Sequence, residues 1–180
     1  MVAEHPSTAP SARRALPGAA YIVIGDLITF RVTASQSGGR VVVVEALTPP
    51  GGGPPPLHSH PPDEIFTVLE GTPTLLRQGA LGVERRRLGP GDTAHIPGGT
   101  PHTFRNFSDA TTRFLATFVP GEMMEHYFVA GGIPAPPDSV PAIDVERQAE
   151  QAERILLVAH DVGMRLHQAP SDRHMRSRHD

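Results

Sequence analysis

Eighteen glycines and twenty prolines punctuate this chain of 180 residues and leave mostly short apolar runs between them. Proline removes a backbone donor and glycine adds backbone entropy, so neither fits inside regular elements, and both mark turns. The runs between them are of strand length: Tyr21 to Ile24, Leu27 to Ala34, Arg40 to Leu47, Glu64 to Glu70, Pro73 to Arg77, Leu81 to Leu88, Asp92 to Ile96, His102 to Phe107 and Thr112 to Val119. Short strands spaced by turn residues predict an all-β sandwich or barrel. The stretch Thr48 to Pro56, with three glycines and five prolines, reads as a rim connection that delivers His58.

The pattern changes after Val119. Gly121 to Ala130, with Glu122 in its first turn and Gly131-Gly132 behind it, predicts a short helix. A proline-rich linker from Ile133 to Pro141 follows. Asp144 then opens a longer helix whose Val145, Ala149, Ala152, Leu156 and Ala159 form one stripe, expected to pack outside the barrel. The division expected is a flexible arm at 1–20, a β-domain with a short closing helix at 21–132, a linker and helix at 133–169, and a disordered tail at 170–180.

Composition excludes several chemistries. All sixteen basic residues are arginine, and cysteine is absent. That removes a phosphate-loop lysine, a Schiff-base lysine, disulfides and thiolate nucleophiles or ligands. A net charge of −3 leaves no footprint for nucleic acid, and Arg85-Arg86-Arg87 reads as a solvated strand end. Arg13-Arg14 precedes an apolar stretch that Pro17, Gly18 and Asp26 interrupt, too short for an export or membrane segment, so the expected location is cytoplasmic. The Val41 to Val44 run reads as covered on both sides, which points to a homodimer.

Ten histidines would give about half an His-x-His pair by chance, so His58-Ser59-His60 alone is weak. Glu64 follows four residues later, then Gly71, and a second cluster runs Gly91, Pro97, Gly99, His102, Asn106. The joint pattern is expected by chance roughly once in ten thousand chains or less. On a β-scaffold, residues two apart share a face, so His58 and His60 can converge on one ion. The same alternation groups Glu64, Phe66 and Val68, and groups His102 with Phe104. Three neutral imidazoles and a carboxylate suit one divalent transition metal: Fe, Mn, Co, Ni, Cu or Zn. Glu64 can serve as ligand or as general base, because burial and a cation pull its pKa in opposite directions.

Gly52, His58, His60, Glu64 and Gly71 resemble the first cupin motif, and Gly91, Pro97, Gly99, His102 and Asn106 the second. From Gly25 to Gly132 the chain is similar to single-domain bacterial cupins of the quercetin 2,3-dioxygenase kind. Gly25 to Phe30 before the motifs, and Pro120-Gly121 with His126-Tyr127-Phe128 after them, add weaker support. The resemblance implies a cupin jelly-roll β-barrel with the metal in its bowl, here carrying a C-terminal helical extension. It also implies a metal-dependent dioxygenase acting on an oxygenated aromatic or polyketide-like small molecule: a substrate oxygen meets the metal, Glu64 takes its proton, and dioxygen attacks the activated carbon. Two alternatives stand beside it: a cyclase, isomerase or decarboxylase using the metal as Lewis acid without dioxygen, and a non-catalytic small-molecule binder.

The site expected is therefore His58, His60, Glu64 and His102 on the metal, with Glu64 also catalytic. Phe66 and Phe104 share parity with ligands and are expected to line a substrate pocket, with Met123, Met124 and Phe128 over its mouth. Glu70 reads as a strand end, Asn106 as turn structure and His95 as a non-ligand. His126, His160, His167, His174 and His179 read as solvated.

Overall fold

The computed structural model describes residues 14–54 and 56–167. Strands β1 (Ala20–Val23) and β2 (Asp26–Val32) form a hairpin through Ile24 and Gly25. Both turn residues have positive φ, 51° and 88°, the sense that suits the twist of paired strands. Glycine accepts this freely, but a β-branched isoleucine is strained there. β2 stops at Val32, short of the expected Ala34, because the Thr33 side chain caps the single-turn helix α1 (Ala34–Ser37) in a reciprocal capping box with Gln36.

β3 (Val42–Thr48), β4 (Leu57–Ser59) and β5 (Asp63–Glu70) follow, then β6 (Thr74–Gly79), β7 (Gly82–Arg87), β8 (Thr93–Ile96), β9 (His102–Arg105) and β10 (Thr112–Val119). Next come α2 (Glu122–Gly131), β11 (Ile133–Ala135), α3 (Val145–Asp161) and β12 (Arg165–His167). The strands pair antiparallel in two sheets, β11-β1-β2-β3-β10-β5-β8 and β12-β4-β9-β6-β7. This is a two-sheet antiparallel sandwich of jelly-roll type, with a C-terminal helix.

Period-two burial puts Val42, Val44 and Ala46 of β3, Phe66 and Val68 of β5, and Phe114, Ala116 and Phe118 of β10 on the inner face. Val41 and Val43 are only half-buried, so the valine run has one covered face within the chain. Arg85, Arg86 and Arg87 are exposed on β7. Residues 1–13 and 168–180 lie outside the described part, with most of the expected arm and all of the expected tail. The arm's described end is packed: Ala15 is buried, and its N–H donates to Glu125 Oε1 at 3.2 Å. The other Glu125 oxygen takes the Ala34 N–H at 2.6 Å, so one buried carboxylate ties α2 to two separate segments.

Helix α3 begins where the sequence predicts, with the Asp144 side chain accepting from the Arg147 N–H. Its buried stripe is Gln151, Ile155, Val158 and Ala159, whereas Val145 and Leu156 are exposed. The expected stripe is rotated because Gln151, polar by type, is the docking residue. Its Oε1 accepts from the Ile24 N–H at 3.0 Å, and its Nε2 donates to the Ile22 and Gly131 carbonyls at 2.9 Å each. Gln148 Nε2 donates to the Ile24 carbonyl at 3.0 Å. The strained hairpin turn is thus held by the helix. Gln151→Leu leaves these buried backbone groups without partners and is expected to destabilise the chain by on the order of 3 kcal/mol. Hydrogen exchange read by mass spectrometry should then show α3 losing protection ahead of the strands.

Candidate metal centre

The rim stretch after β3 carries Gly53, where φ is +100° and a Cβ would run into the Phe104 carbonyl. This close approach brings the chain against β9 and into β4. β4 pairs with β9 at one position, His58 opposite His102, and with β12 on its other edge, where Leu166 faces His58. Alternation then carries His60 to the same side as His58. Glu64 comes from β5, in register with Phe118 of β10 and Ile96 of β8.

Each imidazole is oriented from behind by a carbonyl two residues away. Nδ1 of His58 lies 3.3 Å from the Pro56 carbonyl oxygen, Nδ1 of His60 2.9 Å from that of Pro62, and Nδ1 of His102 2.8 Å from that of Thr100. With Nδ1 directed at a carbonyl, Nε2 is the atom each ring turns inward, able to bind an ion once it carries no proton. Ligand atoms of the three rings lie within 4.8 Å of one another. Glu64 Oε2 completes the set, 3.0 Å from His60 Nε2 and 2.8 Å from His102 Nε2. Three inward nitrogens with oriented rings and a carboxylate fit a divalent transition metal. The ligand loops are also tied to each other: Gly99 N–H donates to the His60 carbonyl at 2.8 Å, and Gly98 N–H to Asp63 Oδ1 at 2.8 Å.

Electrostatics differ within this donor set. Burial, and then the neighbouring His102, lower the His58 pKa to about 3, which keeps its ring neutral and its lone pair available. Burial alone would raise Glu64, but the hydrogen bonds from His102 and His60 outweigh it and hold the carboxyl below its usual range. The same contact works in reverse on His102: burial pulls its pKa down, and Glu64 more than reverses this, leaving it raised.

His58, His60 and Glu64 open onto a cavity of about 370 Å³. Its walls are otherwise mainly apolar, with Val44, Ala46, Phe104, Phe114 and Phe118 from the strands and Met124 and Phe128 from α2. Of the expected pocket residues, Phe104, Met124 and Phe128 line it, and Phe66 and Met123 do not. Phe66 packs behind the lining, its ring 5.5 Å from Phe104 and 5.2 Å from Phe114, and Met123 sits half-buried one position round the helix from Met124. A larger departure is α3. Gln148, Ala149, Ala152, Ile155 and Leu156 line the same cavity, as do Met164 and Leu166, so the C-terminal segment closes one side of the bowl instead of decorating the outside.

Other expectations have local outcomes. His95 is exposed and meets Asp63 at 2.9 Å, away from the metal set. Asn106 is buried, and its Nδ2 donates to the Thr48 and Ala110 carbonyls in a turn role. Glu70 is an exposed strand end near Arg113. His160 is exposed and His126 half-buried; His167 shares a 2.9 Å contact with Ser59 Oγ, while His174 and His179 lie outside the described residues. Polar cavity residues that escaped the sequence reading as site residues include Asp26 and Tyr127. An Asp after Gly at a strand start reads as turn chemistry, and a lone Tyr in a helix reads as core. Among the described residues, no helix is long and apolar enough to cross a membrane.

Residues 44–118, which contain all four metal-set residues, match the family described as Cupin domain. The match is to the domain as a whole and carries no specific likeness to quercetin 2,3-dioxygenase. Among curated proteins, the dimethylsulfoniopropionate lyase DddQ of Ruegeria pomeroyi is 42% identical over 50 residues, 28% of this chain and 23% of the lyase. The match therefore spans under a quarter of that relative's length. Among solved structures, the polyketide cyclase RemF of Streptomyces resistomycificus is similar at 26% identity and a TM-score of 0.47, over 67% of this chain and 80% of that one. A recombinant oxalate oxidase in complex with glycolate aligns at 25% identity and a TM-score of 0.46, over 53% of this chain and 51% of that one.

Proposed function

We propose that the chain is a metal-dependent oxygenase, a dioxygenase acting on an apolar, oxygenated ring compound of aromatic or polyketide type. The observation that carries this reading is the continuity of the metal set with a large, mainly apolar cavity: His58, His60 and the Glu64 carboxylate line it among aromatic and aliphatic walls, with His102 clustered against the two imidazoles. Among the described residues no arginine lines that cavity, so a small dianion finds no guanidinium partner among them. A ring compound with one oxygen directed at the metal set fits both halves of the lining.

When bound, a divalent transition ion supplies Lewis-acid polarisation of a substrate oxygen and, for a redox-active ion, a site for dioxygen. His58, His60 and His102 would hold it through Nε2. Phe104, Phe114 and Phe118 orient the ring and exclude water. Glu64 Oε2 is engaged by two histidines, while Oε1 is engaged by no described residue and the side chain faces the cavity. Oε1 is thus the atom that accepts a proton from the substrate hydroxyl. The same free oxygen favours a second reading, in which Glu64 moves protons for a cyclase, isomerase or decarboxylase without dioxygen.

An aerobic and anaerobic screen of hydroxylated aromatic and polyketide-like compounds separates the two. The oxygenase consumes dioxygen in step with substrate and stops without air; turnover that persists without air establishes the second reading instead. Glu64→Gln is expected to lower turnover by about a hundredfold or more while the three histidines still bind metal. An unchanged rate in that variant would remove Glu64 from the chemistry.

A further inference from the structure

The cavity has a second polar point that the metal set does not use. Asp26 begins β2, is 3% exposed, and lines the same cavity. Among the described residues its Oδ1 atom forms no well-aligned hydrogen bond, although the Thr48 hydroxyl stands close enough to lower its pKa, and Thr48 Oγ1 and Thr112 Oγ1 are likewise buried without aligned partners. Thr48 and Thr112 face each other across β3 and β10, on the inner faces of those strands. Glu64 lies towards the other end of the same ladder, in register with Phe118, which pairs with Val42. Unpartnered polar atoms are rare in folded interiors, and one that lines a cavity is suited to a ligand's polar group.

We propose that Asp26 is a second anchor of the cavity, forming a hydrogen bond with a neutral hydroxyl or carbonyl oxygen at the far end of a ring compound whose near oxygen faces the metal set. This rests on the metal-dependent reading above and adds a substrate class to it: molecules with two oxygen substituents separated by an apolar body. Burial supports the role, since it raises the Asp26 pKa to about 7 against weaker pulls from Thr48, the Gly53 backbone and Arg105. The side chain can therefore donate as well as accept near neutrality. Tyr127 lines the cavity beside it, and burial followed by the Asp26 charge raises its pKa to about 12, so it stays a protonated donor.

The test uses the zinc-loaded full chain and two matched probe pairs, 2-naphthol with 2,6-dihydroxynaphthalene and 4-phenylphenol with 4,4′-dihydroxybiphenyl. Affinities are measured by calorimetry for the wild type, Asp26→Asn and Asp26→Leu. In the wild type at least one diol should bind roughly three- to tenfold tighter than its mono-ol, the range of one hydrogen bond. Asp26→Leu should erase that ratio and Asp26→Asn, which keeps a donor and an acceptor, should retain most of it. A merely structural role would weaken both members of a pair alike. The proposal is overturned if no diol outbinds its mono-ol, including the case in which no probe binds, or if Asp26→Leu keeps the ratio. Failure of the metal reading is separate: elemental analysis would find no zinc on the chain, or the mono-ols would bind equally with and without it.

Discussion

His102→Ala is expected to weaken metal binding by more than about a hundredfold and to destabilise the fold at the same time. Both effects come from one ring. His102 is 1% exposed, stands opposite His58 across the β4–β9 pair, and holds Glu64 Oε2 at 2.8 Å. Its loss removes a nitrogen whose direction the Thr100 carbonyl had set, and even indirect disturbance of such orientation costs ten- to a hundredfold in affinity. It also takes a partner from a buried carboxylate. Breaking a buried pair on one side costs about 3–5 kcal/mol, because the remaining charge keeps its desolvation penalty. Metal titration calorimetry and denaturant unfolding read the two effects separately. A variant that binds metal like the wild type would show that His102 is a core histidine and not a ligand.

Asp26→Asn is expected to stabilise the chain at pH 8 and to leave it nearly unchanged at pH 4. Burial raises the Asp26 pKa from 3.8 to about 7. Between those values the folded chain keeps a proton that the unfolded chain has released. Stability therefore falls as pH rises from about 4 to about 7, and the loss is complete above that window. About three units correspond to a penalty on the order of 4 kcal/mol in the charged state. Asparagine has no such titration, so the variant-minus-wild-type difference should climb through the window and then level off. Taking the difference cancels His58, whose pKa lowered to about 3 gives the opposite slope between pH 3 and 6.5. Denaturant unfolding at several pH values is the measurement, and a flat difference, or equal destabilisation at both ends, would contradict it.

The clustering of four side chains was legible because two constraints overlap. Spacing marked His58, His60, Glu64 and His102, and strand parity showed that they could face one point; the fold places them there. Most strands were equally legible where period-two alternation extended over six or more residues, as in β3, β5 and β10. β4, β11 and β12 were not, since three residues carry too little periodicity to separate a strand from a loop. β4 matters most, because its pairing is what sets His58 opposite His102. The role of α3 was hidden for a different reason. Its apolar stripe predicted a helix correctly, but the docking is made by Gln151 and Gln148 to backbone groups of a strained turn, and polar side chains of this kind give no pattern in sequence. Phe66 shows the limit of parity: it faces inward as expected, yet Phe104 and Phe114 stand between it and the cavity.

The central claim is that His58, His60, Glu64 and His102 hold one metal ion at the end of an apolar bowl. Elemental analysis of the purified chain, wild type beside His58→Ala and His102→Ala, tests it most directly. The account predicts close to one transition-metal ion per wild-type chain and little in either variant. A wild-type chain that stays metal-free after growth in mixed transition metals, or variants that retain the wild-type metal content, would contradict it.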